Sequence, residues 1–127
     1  MTNGLAEYIA QEELGRREGF WWSPDGQWIA FEEVDERHIP PYVIAHQGLD
    51  TTELQAREEH RYPFAGAQNA LVRLGVVAAD GSAPVWMDLD FGEEVYLARV
   101  FWWQDGDLGA VVVNRPQQAL WLVADVP

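Results

Sequence analysis

The sequence contains no cysteine and no lysine. The absence of cysteine excludes disulfides, thiolate catalysis and cysteine-ligated zinc. All eight basic residues are arginines, and they stand against 21 acidic residues, which gives a formal net charge of −13. Because a surface this negative repels phosphate groups, we expect binding neither to nucleic acid nor to an anionic membrane.

Long hydrophobic runs are also missing. No apolar run approaches the roughly 18 residues of a membrane-spanning helix, and no basic segment followed by an apolar one opens the chain. The sequence therefore predicts neither a transmembrane helix nor a signal peptide. With 127 residues, 48% of them apolar, the chain is expected to form one domain, or part of one, around a real core.

One helix is predicted near the N-terminus, over residues 3–18. Asn3 is a suitable N-cap for it. Residues four apart on a helix are neighbours, and the order glutamate before arginine is the favourable one. The spacing allows two such ion pairs, Glu12 with Arg16 and Glu13 with Arg17.

From Phe20 onward, the alternation of apolar and polar residues predicts β-strands, with glycine-containing turns between them. The predicted strands span 19–23, 27–34, 70–78, 84–89, 95–103, 108–114 and 119–124. Residues 34–69 separate the second and third of these strands and are far longer than a hairpin loop. An insertion of this length is usually functional, and we interpret it as an extended arm.

An internal repeat indicates the architecture. The pattern Phe-Trp-Trp followed by Asp-Gly occurs at residues 20–26 and again at residues 101–106. Repetition of a four-stranded unit is typical of a β-propeller. We therefore predict an all-β fold, a partial β-propeller of about one and three-quarter antiparallel blades with a short N-terminal helix and an extended arm. The buried set is predicted to include Trp22, Trp28, Ile29, Val76, Trp86, Val100 and Val112.

The sequence offers no constellation typical of nucleophilic catalysis. Its two serines, Ser23 and Ser82, lie in predicted turns and have no histidine near them in sequence. A serine hydrolase with a nucleophile elbow needs G-x-S-x-G followed by an acid and a histidine. We therefore predict no catalytic residue in this chain.

Metal binding is not indicated either. The three histidines, His38, His46 and His60, fall in the arm at spacings that match no compact metal motif. An acidic group offers oxygens to a cation, but without calcium-loop spacing a solvated turn is the favoured interpretation. Its members are Asp88, Asp90, Glu93 and Glu94. No metal site and no cofactor are predicted.

Several stretches together resemble a known family. They are Asn3-Gly4-Leu5, residues 11–14, residues 21–26, Arg61-Tyr62-Pro63 with Ala65-Gly66 and Asn69, and residues 96–100. In this order they resemble the propeller domain of dipeptidyl peptidase IV and its bacterial relatives, serine exopeptidases of the prolyl oligopeptidase clan. The resemblance covers essentially the whole chain. Its most specific part is the Glu-Glu pair ahead of the WSPDG turn, followed by the Tyr-Pro-x-Ala-Gly-x-x-Asn string.

The resemblance implies that Glu12 and Glu13, in the helical segment 1–19, bind the free α-amino group of a peptide substrate. An ammonium has three donors and no acceptor, which suits two carboxylates. The alternative is a pair of exposed glutamates bonded to Arg16 and Arg17. The resemblance places the hydrolase domain C-terminal to this segment, so the chain alone is predicted to be inactive.

The resemblance also implies a homodimer in which the arm reaches the partner subunit. A truncated propeller independently leaves an open strand edge that association would protect. The expected anchors are Ile39, Tyr42, Val43 and Ile44. Two alternatives stay open: a free-standing β interaction module with no peptidase role, and a carbohydrate-binding module that uses tryptophans as stacking platforms.

Overall fold

The computed structural model describes residues 1–46 and 56–125. In these residues the chain is almost entirely antiparallel β-structure, as predicted. The elements in chain order are β1 (Thr2–Leu5), α1 (Tyr8–Glu12), β2 (Glu18–Trp22), β3 (Trp28–Asp35), β4 (Tyr42–Ala45), β5 (Arg57–His60), β6 (Leu71–Ala78), β7 (Val85–Trp86), β8 (Val95–Trp102), β9 (Leu108–Asn114) and β10 (Leu120–Asp125). None of the described helices is long and apolar enough to cross a bilayer.

The strands form two blade-like sheets and one hairpin. The first sheet has the order β1-β2-β3-β6-β7, and the second has the order β10-β9-β8. The pair β4-β5 forms the separate hairpin and belongs to the arm, residues 34–69. The predicted partial propeller is therefore confirmed.

The turns form where the sequence predicted them. At residues 23–26 the Ser23 hydroxyl donates to Asp25 Oδ1 at 2.7 Å, and the same oxygen accepts from the Gln27 amide at 3.0 Å. Gly26 adopts a positive φ of 70°, a conformation that glycine reaches without steric cost. This turn leads β2 into β3, and Asp105-Gly106 does the same between β8 and β9.

The predicted helix is longer than the observed one, and its cap is different. Asn3 lies in β1, where it pairs with Glu33 of β3, and Glu7 caps the helix instead. Backbone pairing with a strand distant in sequence overrides the local helical preference of residues 3–7. Leu5, inside the predicted helix, lies in β1 and is 50% exposed.

The core lies between the two sheets. Its buried members include Leu74 and Val76 from the first sheet and Leu97, Leu108 and Val112 from the second. The prediction that Val76, Val100 and Val112 are buried is confirmed. Trp28, Ile29 and Trp86 are partly buried, and Trp28 packs against the core cluster.

Trp22 was predicted to be buried, and this is wrong, because it is 54% exposed. Successive strand residues point to opposite faces of a sheet. The neighbouring Trp21 takes the face that packs against the core, which turns Trp22 away from it.

A buried ion pair joins the two sheets. Glu32 is fully buried at a core-facing position of β3, and Arg16 is 7% exposed. Arg16 Nη1 and Nη2 bond the two Glu32 carboxylate oxygens at 2.6 and 3.0 Å. Arg16 Nε and Nη2 also donate to the Leu97 carbonyl of β8 at 3.0 and 2.8 Å. The guanidinium thus holds the first sheet, the second sheet and the chain after α1 together.

We expect removal of one partner of this pair to be strongly destabilising. Arg16→Met leaves the Glu32 carboxylate buried and unpaired, which typically costs about 3–5 kcal/mol. The matched control is Arg37→Met, because Arg37 is bonded to Asp35 at 2.7 Å but its side chain is 69% exposed. Exposed pairs contribute roughly 0–1 kcal/mol. Urea unfolding measures the free energy of unfolding of both variants. Equal losses of stability would mean that the buried Arg16–Glu32 pair contributes no more than the exposed Arg37–Asp35 pair.

Candidate functional site

Helix α1 carries the Glu pair, Glu12 and Glu13, and is fixed at both ends. At its start, the Glu7 carboxylate accepts from the Ile9 amide at 2.5 Å and the Ala10 amide at 2.8 Å. At its end, the Arg16 amide donates to the Ala10 carbonyl at 3.0 Å, immediately before the buried Arg16 side chain. A helix of five residues is unstable alone, so these contacts determine where the Glu pair lies.

Both members of the Glu pair are exposed, at the last helical residue and at the C-cap. Carboxylates there lie at the negative end of the helix dipole, where negative charge is unfavourable. Their placement therefore does not serve helix stability. The ion pair anticipated between Glu12 and Arg16 is absent, because Arg16 is bonded to Glu32 in the core.

A cleft of about 330 Å³ lies between α1 and the arm, and we call it the acidic cleft. Tyr8 and Glu12 line its helical side, while Glu58, Glu59 and His60 line its arm side. A second cleft, of about 550 Å³, includes Gln11 and Gly15 of the helical segment. It is lined by Arg99, Glu18 and the Trp21 ring, and by Arg17, which also lines the acidic cleft, so basic groups outnumber acidic ones in this second cleft.

The arm hairpin carries a small polar network and an aromatic row. Glu58 accepts from His46 Nε2 at 2.9 Å and from His60 Nε2 at 2.5 Å, and these bonds lower the pKa of Glu58. The Tyr8 ring of α1 lies 4.7 Å from the His60 ring and 5.7 Å from the Tyr62 ring. The ring centroids of Tyr62 and Phe64 are 5.2 Å apart, and those of Phe64 and Tyr42 of β4 are 5.5 Å apart.

The four residues predicted to anchor a dimer divide into two groups. Tyr42, Val43 and Ile44 are 49%, 50% and 37% exposed, so the hairpin presents them to solvent. Ile39 is only 2% exposed, and its carbonyl accepts from Arg61, so it supports the arm from inside this chain. Residues 47–55 of the arm lie outside the described part.

The serines and the remaining histidine have structural partners. Ser23 is bonded to Asp25 and accepts from the Trp28 amide, and Ser82 lies in the turn after Asp80. His38 Nε2 lies 2.8 Å from the Asn69 carbonyl. Within residues 1–46 and 56–125, these groups are not brought together as a catalytic triad.

The carboxylates of the acidic group are hydrogen-bonded to backbone amides in turns or to side chains distant in sequence. Asp88 and Asp90 accept from backbone amides two residues onward at 3.0 and 2.9 Å. Glu93 accepts from the Asn114 side chain at 3.1 Å, and Glu94 pairs with Arg115 at 2.6 Å. The described residues hold no cluster of three or more histidine and acidic side chains arranged for a metal ion.

The tryptophans do not form an open stacking platform. Trp21, Trp28, Trp102 and Trp121 pack against the core, and Trp102 Nε1 also donates to the Trp21 carbonyl at 3.0 Å. In the described part of the chain, Trp22 is the single tryptophan classed as exposed. This arrangement does not favour the carbohydrate-binding alternative.

Sequence reasoning missed three residues that support the site, Glu7, Arg16 and Tyr8. Glutamate is not among the preferred N-caps, so Glu7 gave no clear signal. The partner of Arg16 is Glu32, which stands between Ala30 and Val34 at a core position of an alternating strand. A charge at such a position is a signal that a buried partner exists, although it does not identify the partner.

The fold matches that of solved propeller proteins. It superposes on dipeptidyl peptidase 4 of Porphyromonas gingivalis with a TM-score of 0.82 at 24% identity, over 98% of this chain and 18% of that one. A putative dipeptidyl aminopeptidase IV from Bacteroides ovatus gives a TM-score of 0.76 at 24% identity, over 97% and 17% of the two chains. The chain is thus a partial β-propeller of the kind found in these proteins.

The sequence identifies the family. Residues 1–125 match the family described as "Dipeptidyl peptidase IV (DPP IV) N-terminal region". Venom dipeptidyl peptidase 4 of Apis mellifera is 29% identical over 133 residues, which cover 95% of this chain and 17% of the relative. Probable dipeptidyl peptidase 4 of Neosartorya fischeri is 32% identical over 133 residues, covering 98% and 17%. The chain belongs to the dipeptidyl peptidase IV N-terminal region family.

Two further facts limit what the family implies about activity. The chain spans less than a fifth of the length of the relatives it matches. Inactive dipeptidyl peptidase 10 of Rattus norvegicus is also similar, at 31% identity over 120 residues, covering 91% of this chain and 15% of the relative. The proteins similar to this chain therefore include one whose name describes it as inactive.

We expect stability to fall as the pH rises through the range in which Glu7 titrates. Burial raises the pKa of Glu7 from 4.5 to about 7, against the lowering effect of its two amide bonds. The folded state thus holds this proton more tightly than the unfolded state does. The resulting stabilisation is fully present below pH 4.5 and is lost by about pH 7, on the order of 3 kcal/mol in all.

Glu7→Gln tests this expectation, because glutamine does not titrate. The variant is expected to lose part of the N-cap and to be less stable than the unchanged protein near pH 4.5, and this difference should shrink as the pH rises toward 7. Its free energy of unfolding, measured in urea between pH 4.5 and 7.5, should have a smaller negative slope than that of the unchanged protein. Parallel slopes would show that Glu7 titrates normally.

Proposed function

We propose that this chain is the substrate-anchoring part of the propeller of a dipeptidyl-peptidase-IV-like serine exopeptidase. Glu12 and Glu13 bind the free α-amino group of the peptide substrate. The observation that carries this proposal is the pair of adjacent exposed carboxylates at the end of a short helix whose two ends are fixed by Glu7 and Arg16.

The position of the Glu pair supports an ammonium ligand. Side chains of adjacent helical residues point about 100° apart, and two carboxylates converge most easily near a helix end, which is where Glu12 and Glu13 lie. Arg16 is not available as a partner for the Glu pair, because its guanidinium is bonded to Glu32 in the core. Charge-assisted bonds from one ammonium to two carboxylates are short and strong.

The hydrolytic chemistry in this proposal belongs to another part of the protein. The family match to an N-terminal region and the short share of the relatives' length support this division. Ser23 and Ser82 lie in turns, and neither offers a nucleophile next to a base. The free-standing interaction module remains the alternative, and it would require a protein with no hydrolase domain.

We expect the loss of either glutamate to reduce turnover of dipeptidyl substrates. Truncating one partner of a desolvated charge pair typically costs 2–5 kcal/mol, so kcat/KM for a substrate with a free amino terminus should fall about 30-fold or more. The measurement uses Glu12→Gln and Glu13→Gln in the protein that contains this chain and its hydrolase domain. Glu18→Gln, an exposed glutamate of β2, is the matched control.

The N-acetylated form of the same substrate separates binding of the amine from structural damage. It carries no charge at its terminus, so it should be a poor substrate already and nearly indifferent to both substitutions. Equal losses on the free and acetylated substrates would mean that the Glu pair has a structural role. A loss in Glu18→Gln as large as in Glu13→Gln would also contradict the assignment.

We further propose that the arm makes a homodimer contact through Tyr42, Val43 and Ile44. Exposed apolar side chains on both faces of a short two-stranded hairpin support this, since exposed apolar surface is typical of an interaction site. Ile39 contributes by supporting the hairpin from within the chain.

We expect Val43→Asp to convert the dimer to a monomer, because it buries an unpaired charge at the contact. Val43→Thr is the matched control, since threonine has nearly the same shape and no charge. Light scattering at tens of micromolar protein measures the mass of each variant. A protein that is monomeric before any substitution would end this proposal.

A further inference from the structure

The helix that carries the Glu pair is held on one side by the arm. Its buried side is formed by Ala10, which is 0% exposed, and Ala6 just before the helix is 3% exposed. On the opposite side Tyr8 is partly buried against arm residues that follow far along the chain, the His60 ring at 4.7 Å and the Tyr62 ring at 5.7 Å. The planes are tilted by 50° and 90°, and edge-to-face arrangements of this kind are favourable for aromatic pairs.

The arm side of this contact is itself fixed. His60 is bonded to Glu58, which also binds His46 on the neighbouring strand. Tyr62 also contacts the Phe64 ring, which in turn contacts the Tyr42 ring. A displacement of either strand of the hairpin therefore acts on the rings that touch Tyr8.

Tyr8 and Glu12 are four residues apart on the helix, so they lie on the same face. Both line the acidic cleft, opposite Glu58 and His60 of the arm. The pKa of Tyr8 is raised by burial and next by the charges of Glu12 and Glu58, which agrees with its place between the helix and the arm. Glu12 thus lies on the same helix face, and in the same cleft, as the ring that contacts the arm.

We propose that Tyr8 is a positioning residue through which the arm sets the affinity of the Glu pair for a free amino terminus. This inference rests on the proposed function of Glu12 and Glu13, and it adds that the position of the arm regulates that site. Tyr8 does not touch the substrate. It restricts the rotation and fraying of a five-residue helix whose own hydrogen bonds are too few to hold it.

The test compares the helix side and the arm side of the contact in the full-length protein. Tyr8→Ala and Tyr62→Ala each remove an aromatic contact, while Tyr8→Phe keeps the ring and serves as the control. Because an aromatic pair contributes about 2- to 12-fold to an equilibrium constant, we expect both alanine variants to raise KM for a free dipeptidyl nitroanilide by about 2- to 12-fold. We expect kcat to stay within about twofold, and Tyr8→Phe to stay close to the unchanged protein.

Hydrogen–deuterium exchange supplies a readout that does not depend on activity. Deuterium uptake of the peptide that covers residues 8–13 should increase in Tyr62→Ala, although the substitution lies in the arm. Unchanged uptake in both alanine variants would overturn the coupling, and so would an equal KM increase in Tyr8→Phe and Tyr8→Ala. A fall in kcat with constant KM would likewise contradict a positioning role.

The Glu13→Gln background distinguishes this inference from the function on which it rests. If Tyr8 acts through the Glu pair, Tyr8→Ala should raise KM much less in Glu13→Gln than in the unchanged protein. A full, additive effect of Tyr8→Ala would overturn the inference while leaving the Glu pair assigned. If Glu13→Gln alone leaves KM unchanged, the amine site is wrong, and the proposed regulation of it falls with it.

Discussion

The guanidinium of Arg16 is the contact on which the rest of the structure depends. It donates hydrogen bonds to the buried carboxylate of Glu32 in the first sheet, to the carbonyl of Leu97 in the second, and to the carbonyl of Glu18. Leu97 lies where the pairing of β8 with β9 shifts register before Arg99. The Arg16 side chain therefore contacts both the irregular part of β8 and the segment that follows α1.

This arrangement explains how a small helix is held at a defined place on a propeller edge. The residues of the Glu pair stand three and four positions before Arg16, so the core interaction fixes the chain just beyond them. Glu7 fixes it just before them, with two short bonds to the first helical amides. Rigid support from neighbouring elements is what a precise binding site requires. The exposed carboxylates are thus carried on a segment whose buried side chains belong to the core.

Much of the fold could be predicted from the sequence, because strands and turns are encoded locally. The alternation around Trp28 and Leu97 and the Asp-Gly turns predicted the strands of both sheets within a few residues, except β1, which was predicted to be helical. The helix boundary could not be predicted, because the pairing of Asn3 with Glu33 decides it. Which of Trp21 and Trp22 faces the core also depends on the neighbouring sheet.

The Glu pair was visible as a motif, whereas its supports were not. The partners of Arg16 and Tyr8 lie in distant strands, and local spacing pointed Arg16 toward Glu12 instead. A pattern of residues four apart describes what an isolated helix would do. In the folded chain, Arg16 pairs with the fully buried Glu32 carboxylate rather than with Glu12. An unpaired charge in the core is far more costly than one at the surface.

The position of Glu12 and Glu13 at the negative end of a helix has a thermodynamic consequence. Two like charges at the negative end of a helix repel each other and are not offset by its dipole. Under the proposed function, a bound ammonium reduces this repulsion, so occupancy of the site and order of the helix rise together.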